Sequence, residues 1–237
     1  MCGIVGIYLK TKKFEKNLGK MLSGMLNNME SRGPDSAGFA IYKNEGSKIY
    51  KFSLCINDLN FNIFKKNISK KIKKIKLNQI SDHVILKTEE KPKKVIEIIN
   101  SNFPEVSIVG YGKSIEIFKQ VGNPKDVVKK FKLGEFSGTH GIGHTRMATE
   151  SAITTDGSHP YSTGEDECLV HNGSLSNHNN LRRELTKKGN VFNSENDTEV
   201  AAGYVSHSLS NKKSLKDTLT SGLKDLDGFY TFITGTR

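Results

Sequence analysis

The second residue of this chain is a cysteine, and it heads the run Met1-Cys2-Gly3-Ile4-Val5-Gly6-Ile7. Residues 3–9 cluster apolar side chains as a buried strand does. Met followed by a small residue is a substrate for Met removal, and Cys2 would then be the N-terminus. One residue would carry a nucleophilic thiol beside its own α-amine. That amine has an ordinary pKa of ~7.7–8.0, near neutrality, where a catalytic base works best. Taken alone, an early Cys is more often a small buried hydrophobe at the start of a strand. The remainder of the sequence reverses that reading.

Composition narrows the class. The 237 residues are 35% apolar and 26% charged, which reads as soluble and globular. No apolar run approaches 18 residues and no signal peptide precedes the first strand, so neither a membrane span nor secretion is expected. Cys2, Cys55 and Cys168 make an odd count without a CxxC pair. That fits a reducing compartment, the cytoplasm, and argues against a disulfide framework or a thiolate zinc site. The net charge of +11 is concentrated: residues 61–100 hold 11 lysines against Asp82, Glu89, Glu90 and Glu97. Without interleaved aromatics or a nucleic-acid motif, this is a solvated lysine face or a docking surface for an acidic partner, not a nucleic-acid site.

Three regions follow one another. In the first, Leu18, Met21, Leu22, Met25, Leu26 and Met29 form the apolar stripe of a helix. Ser31 to Gly38 is a loop, and Phe39 to Tyr42 a strand. The second, about 53–135, is a basic α/β block. Phe61, Phe64, Ile68, Ile72 and Ile75 fall on one helix face there, with short strands at His83–Leu86, Val106–Val109 and Ile115–Val121. Helical segments are predicted at Val95–Ile99 and Asp126–Phe131. In the third, His, Thr, Ser, Asn and Gly crowd together from Gly138 to residue 180, the kind of polar stretch where chemistry sits on a scaffold. Asn177 is placed to cap a helix ending at Gly189, and Asn196 with Glu199 reads as a capping box. A helix over Ser214–Leu223 and a strand over Gly228–Thr234 complete the chain.

Five motifs stand in order: Cys2-Gly3-Ile4-Val5-Gly6, Arg32-Gly33-Pro34-Asp35-Ser36-Ala37-Gly38, Gly143-His144-Thr145-Arg146-Met147-Ala148-Thr149, His171-Asn172-Gly173 and Asn196-Asp197-Thr198-Glu199. Together they resemble the glutaminase domain of class-II (N-terminal nucleophile) glutamine amidotransferases, over residues 1–42 and 137–237. The stretches 149–155 and 168–179 are closest to the small glutaminase subunits of glutamate synthase-like and N-methylglutamate synthase systems. In those, ammonia passes to a flavin and iron–sulfur synthase on other chains, so no cofactor is expected on this one. Sugar-phosphate amidotransferases carry a different residue where Met147 stands and a His where Glu150 stands, which argues against a hexosamine-type acceptor. The resemblance implies the four-layer α/β/β/α sandwich of N-terminal nucleophile hydrolases: one domain over 1–237, with the basic segment inserted at about 53–135. Such subunits continue with further strands, so this chain is expected to be C-terminally truncated after Arg237.

Carboxamide hydrolysis needs a nucleophile, a proton shuttle, an oxyanion stabiliser and a clamp for the head of the amino acid. Cys2 supplies the thiolate and its α-amine the relay. The Asn172 side-chain amide and the Gly173 N–H face the developing oxyanion. The zwitterionic head of glutamine calls for one cation and one anion. Arg146 suits the α-carboxylate through its planar fork, and Asp197 suits the α-ammonium, with Thr149 assisting at the carboxylate end. Arg32 and Asp35, in the loop the resemblance places beside the nucleophile, and His171, next to Asn172, are expected to act from behind the substrate-touching groups. His144, His171 and His178 lack HxH or HExxH spacing, so no metal is expected. Two other readings stand beside this one: a different N-terminal nucleophile amidohydrolase, or a catalytically silent regulatory or scaffolding subunit.

Overall fold

A computed structural model of the protein describes residues 2–43, 48–148 and 152–237. Its centre is an antiparallel four-stranded sheet in the order β1 (Gly3–Tyr8), β8 (His140–Arg146), β2 (Ser36–Tyr42), β7 (Ile115–Val121). One face is covered by α1 (Leu18–Asn28) and α4 (Pro124–Lys130). Leu18, Leu22 and Leu26 are the fully buried members of the α1 stripe, each a burial of ~1.5–3 kcal/mol. They pack with Phe39, Phe118 and Phe131. The stripe is therefore anchored by leucine; Met21 lies exposed at its margin.

The opposite face of this sheet meets a second sheet of β9 (Glu167–Leu175) paired with β10 (Gly228–Thr236). Ala40, Ile117, Ile142, Cys168 and Val170 fill the space between them. The outer side of β9 and β10 is closed by α5 (His178–Lys187), α6 (Asp197–Ser210) and α7 (Leu215–Asp225), around Leu169, Ala202 and Val205. The layers run α/β/β/α, as the family resemblance implied.

A third sheet, in the order β4 (Lys76–Ile80), β5 (His83–Thr88), β3 (Tyr50–Cys55), β6 (Ser107–Gly112), carries α2 (Phe61–Lys71) and α3 (Pro92–Asn102). Its own core holds Phe64, Ile68, Val95 and Ile99. Of the basic stretch, β3 to β6 build this unit, whereas β7 and α4 belong to the main sandwich. The unit is latched to the body by Asp166, whose carboxylate accepts the N–H groups of Lys113, Ser114 and Ile115 in the β6–β7 turn.

Three local expectations shift. The helix over the lysine stripe stops at Lys71, because Ile72 turns extended and Lys74 adopts a φ of 54°, releasing β4. Asn177 does not cap α5; its side chain accepts from Asp227 N and donates to Asp225 O, tying α5 to the end of α7. Asn196 caps α6 by accepting from Thr198 N, but Glu199 leaves the reciprocal bond unmade. It accepts instead from Asn193 N, Ser194 N and Ser194 Oγ. Among the described residues, no helix is long and apolar enough to cross a membrane.

Candidate active site

The β1–β8 register ends at Gly3↔Thr145, so Cys2 stands one step beyond, level with Arg146. The half-buried Cys2 is held through its backbone carbonyl. Asn172 Nδ2 donates to that oxygen at 3.2 Å and Arg32 Nε at 3.3 Å. Its thiol lies 3.9 Å from the Met147 carbonyl oxygen. Three segments far apart in the chain, at Arg32, Met147 and Asn172, thus converge on one residue.

The loop before β2 is packed into this corner by necessity. A Cβ on Gly33 would collide with the Thr145 backbone, so only glycine lets the loop lie against β8. Asp35 follows: its backbone N–H donates to the Arg146 carbonyl at 3.0 Å, and its Oδ2 accepts the Ala148 N–H at 2.8 Å. Asp35 therefore braces the turn after Arg146, while Arg32 brings a cation to the backbone of Cys2. Arg146 itself is buried, and its Nη1 donates to the Ala152 carbonyl at 3.2 Å.

Gly173 has a φ of 141°, a region that favours glycine, and a Cβ there would run into the Phe229 carbonyl oxygen. The chain can only pass this point without a side chain, directly after the Asn172 amide. Asp197 opens α6 beside these residues. Its Oδ2 accepts the Leu175 N–H at 2.8 Å and its Oδ1 lies 3.6 Å from His171 Nδ1. Burial alone would push the Asp197 carboxyl up, but the His171 contact and the Leu175 N–H outweigh it and hold it below the ordinary value. Asp197 is thus kept as an anion. His171 is buried behind it. Thr149 lies outside the described residues.

Three further residues, to which the sequence assigned no role, shape this region. Thr198 Oγ1 sits between His171 and His159, and Arg182 donates to the carbonyls of Ser194 and Asn196, fixing the approach to α6. His159 lies in a polar run that offered no period or motif; the loop that carries it is held here by Lys119, which donates to the Asp156 and Ser158 carbonyls. Among the described residues, one trio brings metal-binding donors together: Cys55, Asp82 and His83, in the third sheet and the β4–β5 turn. Lys130 Nζ occupies the Asp82 Oδ2 at 2.9 Å, and burial pushes the Cys55 thiol up to about 11. That chemistry favours a neutral thiol beside an ion pair over a metal thiolate.

Residues 134–233 match the family model described as a glutamine amidotransferase domain. Over 240 residues the chain is 48% identical to the glutamine amidotransferase-like protein GlxB of Rhizobium meliloti (strain 1021), covering 100% of this chain and 80% of that protein. It is 32% identical over 258 residues to a putative glutamine amidotransferase of Methanothermobacter thermautotrophicus (strain Delta H), covering 100% of this chain and 82% of that one. Among solved structures, the allosteric regulatory enzyme of purine biosynthesis superposes with a TM-score of 0.56 at 19% identity, covering 100% of this chain and 35% of that one. That last likeness concerns the fold alone.

Proposed function

The chain belongs to the class-II, N-terminal nucleophile family of glutamine amidotransferases, and from that premise we propose that it hydrolyses the side-chain amide of L-glutamine and hands the ammonia to a separate synthase subunit. The observation that carries the reading is the convergence on Cys2: Asn172 Nδ2 and Arg32 Nε both hold its carbonyl, with Arg146 level with it on the neighbouring strand.

Once Met1 is removed, the α-amine of Cys2 takes the thiol proton as Sγ attacks the γ-carboxamide carbon. The negative charge that builds on the amide oxygen is met by the Asn172 amide and the Gly173 N–H, donors typically worth ~2.7–4 kcal/mol of barrier each. Collapse breaks the C–N bond, the amine returns its proton to the leaving nitrogen, and ammonia departs from a γ-glutamyl thioester. Water, deprotonated by the same amine, then releases glutamate and restores the thiol. Arg146 takes the α-carboxylate and the Asp197 anion the α-ammonium, with Thr149 assigned to the carboxylate end. The acceptor is proposed to be a synthase of the glutamate synthase or N-methylglutamate synthase kind, in the cytoplasm, with any flavin and iron–sulfur centres on that partner.

A glutamine-like diazo-ketone tests this directly. It is expected to label a processed Cys2, with excess glutamine blocking the reaction, as mapped by mass spectrometry. An N-terminus still bearing Met1 in active protein would overturn the self-activating amine. Glutamine hydrolysis surviving Cys2→Ser would remove Cys2 as nucleophile.

A further inference from the structure

Behind Asp197 runs a buried polar chain that the hydrolysis above leaves unused. Thr198 Oγ1 is 2.8 Å from His159 Nε2, 2.9 Å from His171 Nδ1 and 3.4 Å from Asp197 Oδ1. Thr198, His159 and His171 are all buried. The His159 ring stacks on His144 with centroids 3.8 Å apart and planes 13° from parallel. His144 in turn has its Nε2 2.9 Å from the His171 carbonyl oxygen, which can only accept, so that nitrogen carries the hydrogen. The far end of the chain is also fixed. The buried Lys119 donates to the carbonyls of Asp156 and Ser158, pinning the segment that carries His159. Gly38 lies between His144 and Lys119 in the ladder, and a Cβ there would strike the His159 carbonyl.

A threonine hydroxyl has one hydrogen and two lone pairs. Here it is the shared partner of two imidazoles that have almost no water to turn to. One carboxylate oxygen of Asp197 is already committed to Leu175 N–H; the other faces His171 and this hydroxyl. We propose that Thr198 is a positioning residue of the glutamine clamp, its hydroxyl, held in place by His159, setting the direction of the Asp197 carboxylate directly and through His171. This rests on the reading of Asp197 as partner of the substrate ammonium.

Thr198→Val keeps the shape and β-branching and removes only the hydroxyl. It is expected to raise KM for glutamine about tenfold with kcat little changed, and Thr198→Ser is expected to restore the wild-type KM. Two labels of Cys2 separate clamp from nucleophile. Iodoacetamide has no amino-acid head, so its rate should be unaffected by Thr198→Val, whereas labelling by the glutamine-like diazo-ketone should slow. An unchanged KM in Thr198→Val while Asp197→Asn raises it would overturn the inference and leave the clamp standing. Equal slowing of both labels would also overturn it, by showing a general loss of structure. If Asp197→Asn leaves KM unchanged as well, the clamp reading itself falls.

Discussion

At the scale of single residues, burial turns two side chains into opposite pH sensors. His144 is fully buried, and burial pushes it down to about 3 from an ordinary 6.5. Folding therefore disfavours its protonated form. Its contribution is intact above pH 6.5 and is lost as pH falls from there towards 3, at up to about 1.4 kcal/mol per pH unit. The wild-type melting temperature should drop over that range, and His144→Gln, less stable at neutral pH, should show a shallower drop. Glu167 behaves in the reverse sense. Burial raises it from 4.5 to about 7, and its Oε2 has no hydrogen-bond partner among the described residues. The penalty is absent below pH 4.5, grows as pH rises to 7 and persists above. Glu167→Gln should therefore stabilise the protein by about 1–2 kcal/mol near pH 8.5 and not near pH 4.5, by thermal unfolding at both. Gly173→Ala should abolish glutamine hydrolysis and cost at least about 1–3 kcal/mol, since it combines a strained φ with a backbone collision. Cys2, Asn172 and Gly173 could be singled out in the sequence because chemistry restricts which residue types can fill the roles proposed for them, and the structure brings Cys2 and Asn172 together. Lys119, His159 and Thr198 could not be singled out in this way. Nothing local relates positions 119, 159 and 198; the β2–β7 register sets Lys119 opposite Gly38, and Lys119 holds the loop whose His159 carbonyl lies against that glycine.

At the scale of elements, caps do more than stabilise. Asn196 accepts from Thr198 N and so sets the residue at which α6 begins, which places Asp197 in its first turn. Asn196→Ala should cost about 1 kcal/mol in stability, and glutamine KM should rise with it, as chemical denaturation and steady-state kinetics would record. In the lysine-rich unit, Phe64, Ile68 and Ile72 carry α2 onto its sheet. Ile68→Ala should destabilise by about 2–5 kcal/mol, read as a fall in the denaturant midpoint. Apolar periodicity predicted α1 and α2 because docking of one face decides them. It did not predict β4, where Lys76, Asn78 and Gln79 lie exposed on an edge strand and ladder pairing with β5 makes the strand. Asn177 shows the complementary failure: its capping chemistry was read correctly as side chain to backbone, but α7 competed for it.

At the scale of the whole molecule, charge and chain order matter most. Lys65, Lys66, Lys70 and Lys71 project from α2 into solvent, and the net charge of +11 is largely that of this unit. Changing all four to Glu should leave glutamine hydrolysis intact and weaken binding to an acidic synthase surface; wild-type binding should fall as salt rises. An association indifferent to salt would remove the electrostatic docking. The layered sandwich was legible from the order of the motifs, whereas the division of the basic stretch between two sheets was not, because β7 declares its sheet only by pairing with β2. The strand that follows Cys2 also has a history. Among the described residues β1 pairs only with β8, about 130 residues later in the chain. At ~5–20 residues per second, the ribosome delivers that partner roughly 7–26 s after the first strand has emerged. Through that interval the amino end has no strand partner and is open to the Met1 removal that the proposed mechanism requires, while Asn172 and Asp197 have yet to be synthesised. In the proposed mechanism, the nucleophile would thereby mature ahead of the first moment at which it could meet a substrate.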